Sequence, residues 1–425
     1  SHVSATVPNA EVTTYEFDNM LGFPTCDTEV ELFKEKAQSL LEKTSFDVVG
    51  ISCWSSFNYI SSVWTAKTCK KINPACTVVV GGYHPTAVPS DFTYLFSPFD
   101  FVVMNEGEHY LEKICRGEIS KTRKTQVLNE QNSLLNPKIR LTTDFTIYNN
   151  KMFGMYLSRG CPYECGYCME GCKGRSWKYF SIEDSMDFLE DVVHKWNPKK
   201  ILFNDACFGV NPIWRKKFFK ELVNRDYDIQ YWAETRIDCI DEESLESLAE
   251  LDFQLDFGIE TFSEQMLSIM NKTKNPKKYL ELLSYYSQKM DEREIRHNIY
   301  VLYNHPGETS QTIQESILWL ENFLDQKNET FMAFMEEHYS YFPGSDIYYN
   351  FSNYAKRFGT RVRHPEWWKE KGDQHRRSRQ VIPSDELVQS GKLGYYEQEL
   401  KRLSEKNFDK MVPKIQKKIK EGQLK

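Results

Sequence analysis

The stretch "KMFGMYLSRGCPYECGYCMEGC", residues 151–172, runs from a short apolar segment into four closely spaced cysteines. "KMFGMYLS" predicts a strand, and the thiols then stand at its carboxyl end. Five more runs of this kind follow: "KKILFND", "IQYWAET", "FQLDFGIE", "IRHNIYVLY" and "TFMAFMEEHYSY", the last ending at Tyr341. Helical patterns such as "SIEDSMDFLEDVVHKW", "IWRKKFFKELVN", "DEESLESLAEL" and "SQTIQESILWLENFL" separate them. Six strands alternating with helices predict a partial (β/α)6 TIM-type barrel over residues 151–343, which gathers its chemistry at the carboxyl ends of the strands. The cysteines follow the first of these strands, at that face.

Upstream, "FDVVGIS", "CTVVVGG" and "FDFVVMN" are short β-branched runs, followed by the helical patterns "YISSVWTAKTCKKI", "PSDFTYLF" and "EHYLEKICRG". Continuous apolar strands between helices imply a parallel sheet covered on both faces. The fold class is therefore α/β, with a doubly wound, Rossmann-like domain over residues 1–120 ahead of the barrel. Its ligand site is expected where its strands end, at "SCWSS", "GGYHPT" and "NEGEH". The opening "SHVSATVPNAEVTTYEFD" reads as material that normally follows a strand, so this sheet is expected to be incomplete at its start. Residues 121–150 are polar with little periodicity and read as a linker. Residues 344–425 read as a helical, basic region.

Lys plus Arg 54 against Asp plus Glu 61 gives a net charge of −7, so nothing global attracts nucleic acid or an anionic membrane. No apolar run is long enough for a membrane span, and the expectation is a cytoplasmic protein. The basic C-terminal segment reads as a solvated amphipathic face. Eleven cysteines is an odd count, and Cys53, Cys69, Cys76, Cys115, Cys207 and Cys239 read as buried small hydrophobes.

The clustered thiols follow the pattern Cys161-x3-Cys165-x2-Cys168, with Cys172 four residues on. Thiolates this close ligate a soft metal centre, either zinc or an iron–sulfur cluster. All four would serve a zinc knuckle, whereas three leave one iron of a 4Fe–4S cluster open and Cys172 a bystander. Cys-x3-Cys-x2-Cys with Tyr167 before the last cysteine resembles the signature of the radical S-adenosylmethionine (radical SAM) superfamily. The resemblance implies that Cys161, Cys165 and Cys168 hold the cluster and that its open iron binds S-adenosyl-L-methionine, which is cleaved to a 5′-deoxyadenosyl radical. "FNDACFG", "AETRID", "FGIETFSEQMLSIMNK" and "VLYNHPGET" resemble the family's later strand ends. They implicate Asn204, Arg236, Gly258, Glu260, Asn304, Pro306 and Gly307, with Tyr167, around S-adenosylmethionine. Read alone, Arg236 and Glu260 would be an ordinary buried ion pair.

"VVVGGYHPTA" and "NEGEHYLEKI" resemble the cobalamin-binding domain that precedes the barrel in one branch of this superfamily. Two glycines after a strand let the backbone approach a large flat ligand, and small hydroxyl residues hydrogen-bond its amide arms. Ser52, Trp54, Ser55, Gly81, Gly82, Tyr83, His84, Glu106 and Gly107 are the residues so implicated. No Asp-x-His-x-x-Gly occurs, and His84 itself reads as a packing residue. Together these features imply a cobalamin-dependent radical SAM enzyme that methylates an unactivated carbon, with an external electron donor of flavodoxin or ferredoxin type and a small-molecule or peptide substrate. Trp367 and Trp368 are expected in a lid between Gly344 and Gln380 that closes the barrel mouth to water. Three alternatives stay open: ring formation or rearrangement without methyl transfer, a methylthiotransferase using Cys26, Cys53 and Cys76, and a non-catalytic zinc module that docks nucleic acid.

Overall fold

Val48–Ser52 (β1), Thr77–Gly81 (β2), Phe101–Asn105 (β3) and Gln126–Glu130 (β4) pair in parallel, in that order, as the first sheet of this computed structural model. The structure describes residues 2–22, 24, 26–130, 152–170, 177–326, 330–370 and 372–420. Cys172 and residues 131–150 of the expected linker therefore lie outside the described residues.

Alternation along each strand divides the first sheet's core. Val78, Val80 and Val102 pack beneath the helices Asp27–Leu41 (α1) and Tyr59–Ile72 (α2), while Val79, Phe101 and Val103 pack beneath Glu108–Cys115 (α3) on the other face. Cys53, Cys69 and Cys76 are buried in this core, and burial pushes the Cys69 thiol up to about 12. Cys115 is only half-buried.

Two local expectations differ from the structure. "PSDFTYLF" forms only the 3-10 turn Pro89–Phe92, because Leu95 and Phe96 find no face to pack on and a short helix gains little without packing. Residues 126–130, read as linker, instead form β4. This is an edge strand, which needs burial on one side only, so Leu128 packs inward while Val127 stays exposed.

The second sheet contains all six expected strands: Met152–Met155 (β5), Lys200–Phe203 (β6), Gln230–Thr235 (β7), Phe253–Glu260 (β8), His297–Tyr303 (β9) and Phe331–His338 (β10). They run parallel in the order β10-β9-β8-β7-β6-β5, so β5 and β10 are free edges and the barrel is open. The helices between them start at side chains that satisfy free backbone N–H groups. Ser181 caps Ile182–Trp196 (α4), Asn211 caps Pro212–Arg225 (α5), Asp241 caps Glu242–Ala249 (α6), Asn275 caps Pro276–Glu292 (α7) and Thr309 caps Ser310–Asp325 (α8). The C-terminal helix Tyr395–Lys420 (α9) lies against β10 and α8 and covers the open edge.

The segment before α9 joins the two units. Asp91 of the first unit accepts hydrogen bonds from Trp368 Nε1 at 2.7 Å and His84 Nε2 at 3.2 Å, and pairs with Lys369 Nζ at 2.7 Å. Trp367 Nε1 donates to the Tyr341 carbonyl at 2.6 Å, and its ring lies 4.7 Å from that of Phe57. Arg159, at the cysteine loop, pairs with Glu108 of α3. Among the described residues no helix is long and apolar enough to cross a membrane.

Candidate functional site

The carboxyl ends of both sheets open on one cavity of about 1290 Å³, larger than the roughly 300–1,000 Å³ of most small-molecule sites. The first unit contributes Ser52 and Trp54 after β1, Gly81, Gly82 and Tyr83 after β2, and Glu106 and Gly107 after β3. Across the cavity stand Arg159, Gly160, Asn204, Asp205 and Glu234 from the barrel. Gly82 has φ 115°, and a Cβ there would lie 2.5 Å from the Cys53 carbonyl oxygen, so only glycine lets the β1 and β2 loops meet. Trp54 is exposed towards this space, with the Tyr83 ring edge-on at 4.7 Å.

Two residues implicated with this group lie elsewhere. Ser55 caps a turn by accepting from Phe57 N at 3.2 Å. His84 is buried beneath the loop, where Nδ1 meets Ser56 Oγ at 2.8 Å and Nε2 meets Asp91. Trp367 and Trp368, expected in a lid, are fully buried between the units and do not line the cavity. Their indole N–H groups are spent on Tyr341 and Asp91, so packing decides their position.

The cysteine loop is anchored by backbone on both sides. Gly166 N donates to Met270 O at 2.8 Å, Ile347 N donates to Gly166 O at 3.1 Å, and Asn271 Nδ2 donates to Glu164 O at 2.8 Å. Cys161, Cys165 and Cys168 are half-buried and close enough to influence one another's charge. Burial raises the Cys161 thiol and pushes Cys168 up to about 12, so both are protonated thiols without a metal. Among the described residues no three His, Cys, Asp or Glu side chains converge on a single metal ion, a convergence that a 4Fe–4S cluster, which takes one thiolate per iron, does not require.

Beneath the loop the structure gathers Tyr167, Arg236, Gly258 and Glu260. Arg236 and Glu260 are not each other's partners. The Arg236 guanidinium is held by both oxygens of Asp238 at 2.9 and 2.8 Å, lies 3.9 Å from the Tyr163 ring centre, and donates to Cys165 Sγ at 3.8 Å. Glu260, at φ 73° beside a bulge, binds Lys272 Nζ at 2.9 Å, and Lys272 reaches Tyr167 Oη at 3.2 Å. Lys272, Asp238 and Tyr163 were missed by sequence reasoning. Lys272 stands in the polar run "NKTKNPKK", and nothing local marks it as the buried cation it is. Gly258 is required here, since a Cβ would stand 2.6 Å from Glu260 Oε1. Gly154 serves Asn204 in the same way, at 2.5 Å from its Nδ2.

Asn304, Pro306 and Gly307 form a tight turn after β9, with Asn304 at φ 60° and Gly307 at φ 94°. His305, within it, stacks edge-on to Tyr167 at 6.1 Å and so brings the turn beside the cysteine loop. Glu308 closes the turn by accepting from Asn304 N at 3.0 Å, and burial pushes its carboxyl up to about 8 against the backbone N–H groups of His305 and Asn304. The folded chain therefore keeps a proton that the unfolded chain releases above about 4.5, and stability falls as pH rises from there through about 8. Over the whole interval the loss is about 5 kcal/mol. Thermal unfolding across this interval should show the fall in the parent chain and a flatter profile in Glu308→Gln, which keeps an acceptor but cannot titrate.

Residues 155–320 match the family model of the radical SAM superfamily, and residues 19–114 match that of the B12 binding domain. An uncharacterized methyltransferase, PH0819, of Pyrococcus horikoshii is 26% identical over 267 residues, covering 57% of this chain. The chain spans only 58% of that relative's length. Among solved structures, the radical S-adenosylmethionine methyltransferase TsrM from Kitasatospora setae superposes with a TM-score of 0.67 at 15% identity, covering 87% of this chain and 80% of that one. The cobalamin-dependent S-adenosylmethionine radical enzyme OxsB gives 0.57 at 18% identity, over 72% of this chain and 47% of that one. At such identities these two likenesses establish a shared fold.

The residues present fit the groups that such domains hold. Three thiols in one anchored loop are the donor set of a 4Fe–4S cluster, and Arg236 places a cation beside them. The cavity is larger than most small-molecule sites, as a large flat ligand requires, and Gly82 leaves its wall free of a side chain where the two loops touch.

Proposed function

We propose, for a chain that joins a B12-binding domain to a radical SAM domain, that it methylates an unactivated carbon of a small-molecule or peptide substrate. The observation that carries this reading is the single cavity shared by the strand ends of both sheets. A cobalamin ring on the first unit and a substrate in the barrel mouth would then face each other without further rearrangement. Two of the similar proteins are described as methyltransferases, which favours methyl transfer over ring formation.

Bound here, a 4Fe–4S cluster with S-adenosylmethionine supplies radical chemistry and cobalamin supplies a methyl group. The chain's own residues bind and orient. Cys161, Cys165 and Cys168 hold the cluster. Arg236, kept rigid by Asp238, offers its guanidinium to a carboxylate. Glu260, with its own cation Lys272, accepts from an ammonium or a ribose hydroxyl. Asn304, Pro306 and Gly307 enclose a flat base, and Asn204 lines the shared cavity from the barrel side. Ser52, Trp54, Gly81, Gly82, Tyr83, Glu106 and Gly107 cradle the corrin. Electrons come from an external flavodoxin- or ferredoxin-type donor.

The test is anaerobic reconstitution of the full chain with iron, sulfide and hydroxocobalamin, followed by S-adenosylmethionine, a reductant and candidate substrates. S-adenosylhomocysteine together with 5′-deoxyadenosine is the expected product pair. Turnover that yields 5′-deoxyadenosine alone would rule out methyl transfer, and a colourless zinc protein that retains no cobalamin would overturn the whole reading.

A further inference from the structure

Outside the large cavity, the cysteine loop is flanked by a second hollow and by a group of cations that the proposed reaction does not use. A groove of about 310 Å³ is lined by Ile269, Asp346, Asn350, Tyr354, Arg357 and Phe358, none of which lines the large cavity. It is built on the two segments that anchor the loop. Met270 O accepts from Gly166 N, Ile347 N donates to Gly166 O, and Tyr354 Oη lies 3.2 Å from where a Cβ on Gly166 would stand. The stretches "NKTKNPKK" (271–278) and "FSNYAKRF" (351–358) on these segments contain six Lys or Arg and no acid. Lys272 is buried on Glu260, whereas Lys274, Lys277, Lys278, Lys356 and Arg357 are exposed. Among the described residues none of these five forms an ion pair, although Lys289 and Arg361 beyond them pair with Glu292 and Asp385. Lys274 Nζ donates to Asn271 Oδ1 at 2.7 Å, and Asn271 Nδ2 donates to Glu164 O of the loop, so this charge stands two hydrogen bonds from the loop backbone. Helix stability does not account for Lys277 and Lys278, because cations in the first turn of α7 oppose its dipole. Against the cations stand Glu164, on the loop, and Asp346, which already accepts from Asn350 Nδ2 at 2.7 Å.

We propose that this face, the groove with Lys274, Lys277, Lys278, Lys356 and Arg357, docks the acidic one-electron carrier protein that reduces the cluster. This deepens the reading of the loop as a 4Fe–4S site with an external donor, and rests on it. Electron transfer slows steeply with distance, so the carrier must seat against the loop itself, and the large cavity is taken by corrin and substrate. The chain's net charge of −7 repels an acidic protein overall. A locally cationic face beside the loop is therefore where such a partner gains attraction. Exposed charges of this kind raise the encounter rate more than the affinity. A small, weak interface of that sort suits a redox partner, which must leave after each transfer. One electron passes per encounter: a flavin hydroquinone becomes a semiquinone, or a reduced ferredoxin becomes oxidised, and the cluster gains that electron.

The experiment mixes the anaerobically reconstituted full chain with two acidic probes in turn, a bacterial flavodoxin and a plant-type ferredoxin. Carbodiimide joins carboxylates to lysines in contact, and peptide mapping should place the dominant cross-links at Lys274, Lys277, Lys278 or Lys356. Cross-links found only elsewhere on the chain would overturn the proposal. Stopped-flow bleaching then follows cluster reduction by each reduced probe. Lys277→Glu with Lys278→Glu should slow it about 10-fold and flatten its dependence on ionic strength. Acids in that first turn suit the α7 dipole, so the variant keeps its helix. Lys217→Glu with Lys220→Glu, on α5, makes the same change in net charge and should leave the rate as in the parent. Equal rates in the parent and the Lys277 and Lys278 variant, or equal slowing by the α5 pair, would overturn the proposal. So would a parent cluster that dithionite reduces and neither probe does. Dithionite needs no docking face, so a parent that it cannot reduce, or that carries no cluster, marks failure of the radical SAM reading itself.

Discussion

A Cys165→Ala chain is expected to lose its iron and, with it, all turnover. Cys161, Cys165 and Cys168 share one loop that is pinned by Gly166, Asn271 and Ile347, so neighbouring backbone cannot bring a substitute ligand into place. Cys165 is also the thiol that accepts from Arg236. Its removal therefore takes away both a ligand and the contact that holds the guanidinium against the loop. Iron and sulfide assays on anaerobically reconstituted protein should give about four irons per chain for the parent, and under about a tenth of that for the variant. Cys115→Ala, at a half-buried thiol on α3 outside the loop, should keep its iron. Cys172→Ala separates the two donor sets. Full iron in that variant supports a three-thiol cluster, whereas zinc in the parent and metal loss in this variant would mean a four-thiol knuckle.

The second large effect is expected at Gly82. Alanine there must take φ 115°, and its Cβ would stand 2.5 Å from the Cys53 carbonyl oxygen and 2.8 Å from the carbonyl carbon. Neither contact is with a flexible side chain, and Cys53 N is itself bonded to Gly81 O at 2.8 Å. Relief therefore requires the β1 and β2 loops to separate, and those loops form one wall of the cavity. Backbone strain together with overpacking should cost about 2–4 kcal/mol in stability. If roughly 2 kcal/mol of that appears in binding, hydroxocobalamin affinity falls about 30-fold. Equilibrium dialysis measures the second effect and denaturant unfolding the first. Gly117→Ala is the control, because Gly117 also has positive φ, 73°, but nothing lies within 4 Å of the new methyl. Unchanged cobalamin binding by Gly82→Ala would remove the wall of the first unit from the site.

Much of the architecture was legible because it is written in short-range periodicity. β1 to β3 are apolar on both faces, and β5 to β10 alternate with helices whose caps are visible as Ser, Asn, Asp or Thr. β4 was not legible, since an edge strand buried on one side has the composition of a linker. His84 and the two tryptophans show the opposite limit. Their residue types suit a ligand or a lid, yet Asp91 draws His84 and Trp368 into a buried junction.

What the sequence determined by itself was the order of strands and helices and the place of three cysteines after the first barrel strand, because these depend only on residues near one another along the chain. The contact of Arg236 with Cys165 and Tyr163, that of Lys272 with Tyr167 and the shared cavity were decided by tertiary structure alone. Each joins side chains from the ends of different strands, and such groups meet only when the parallel register brings those ends level.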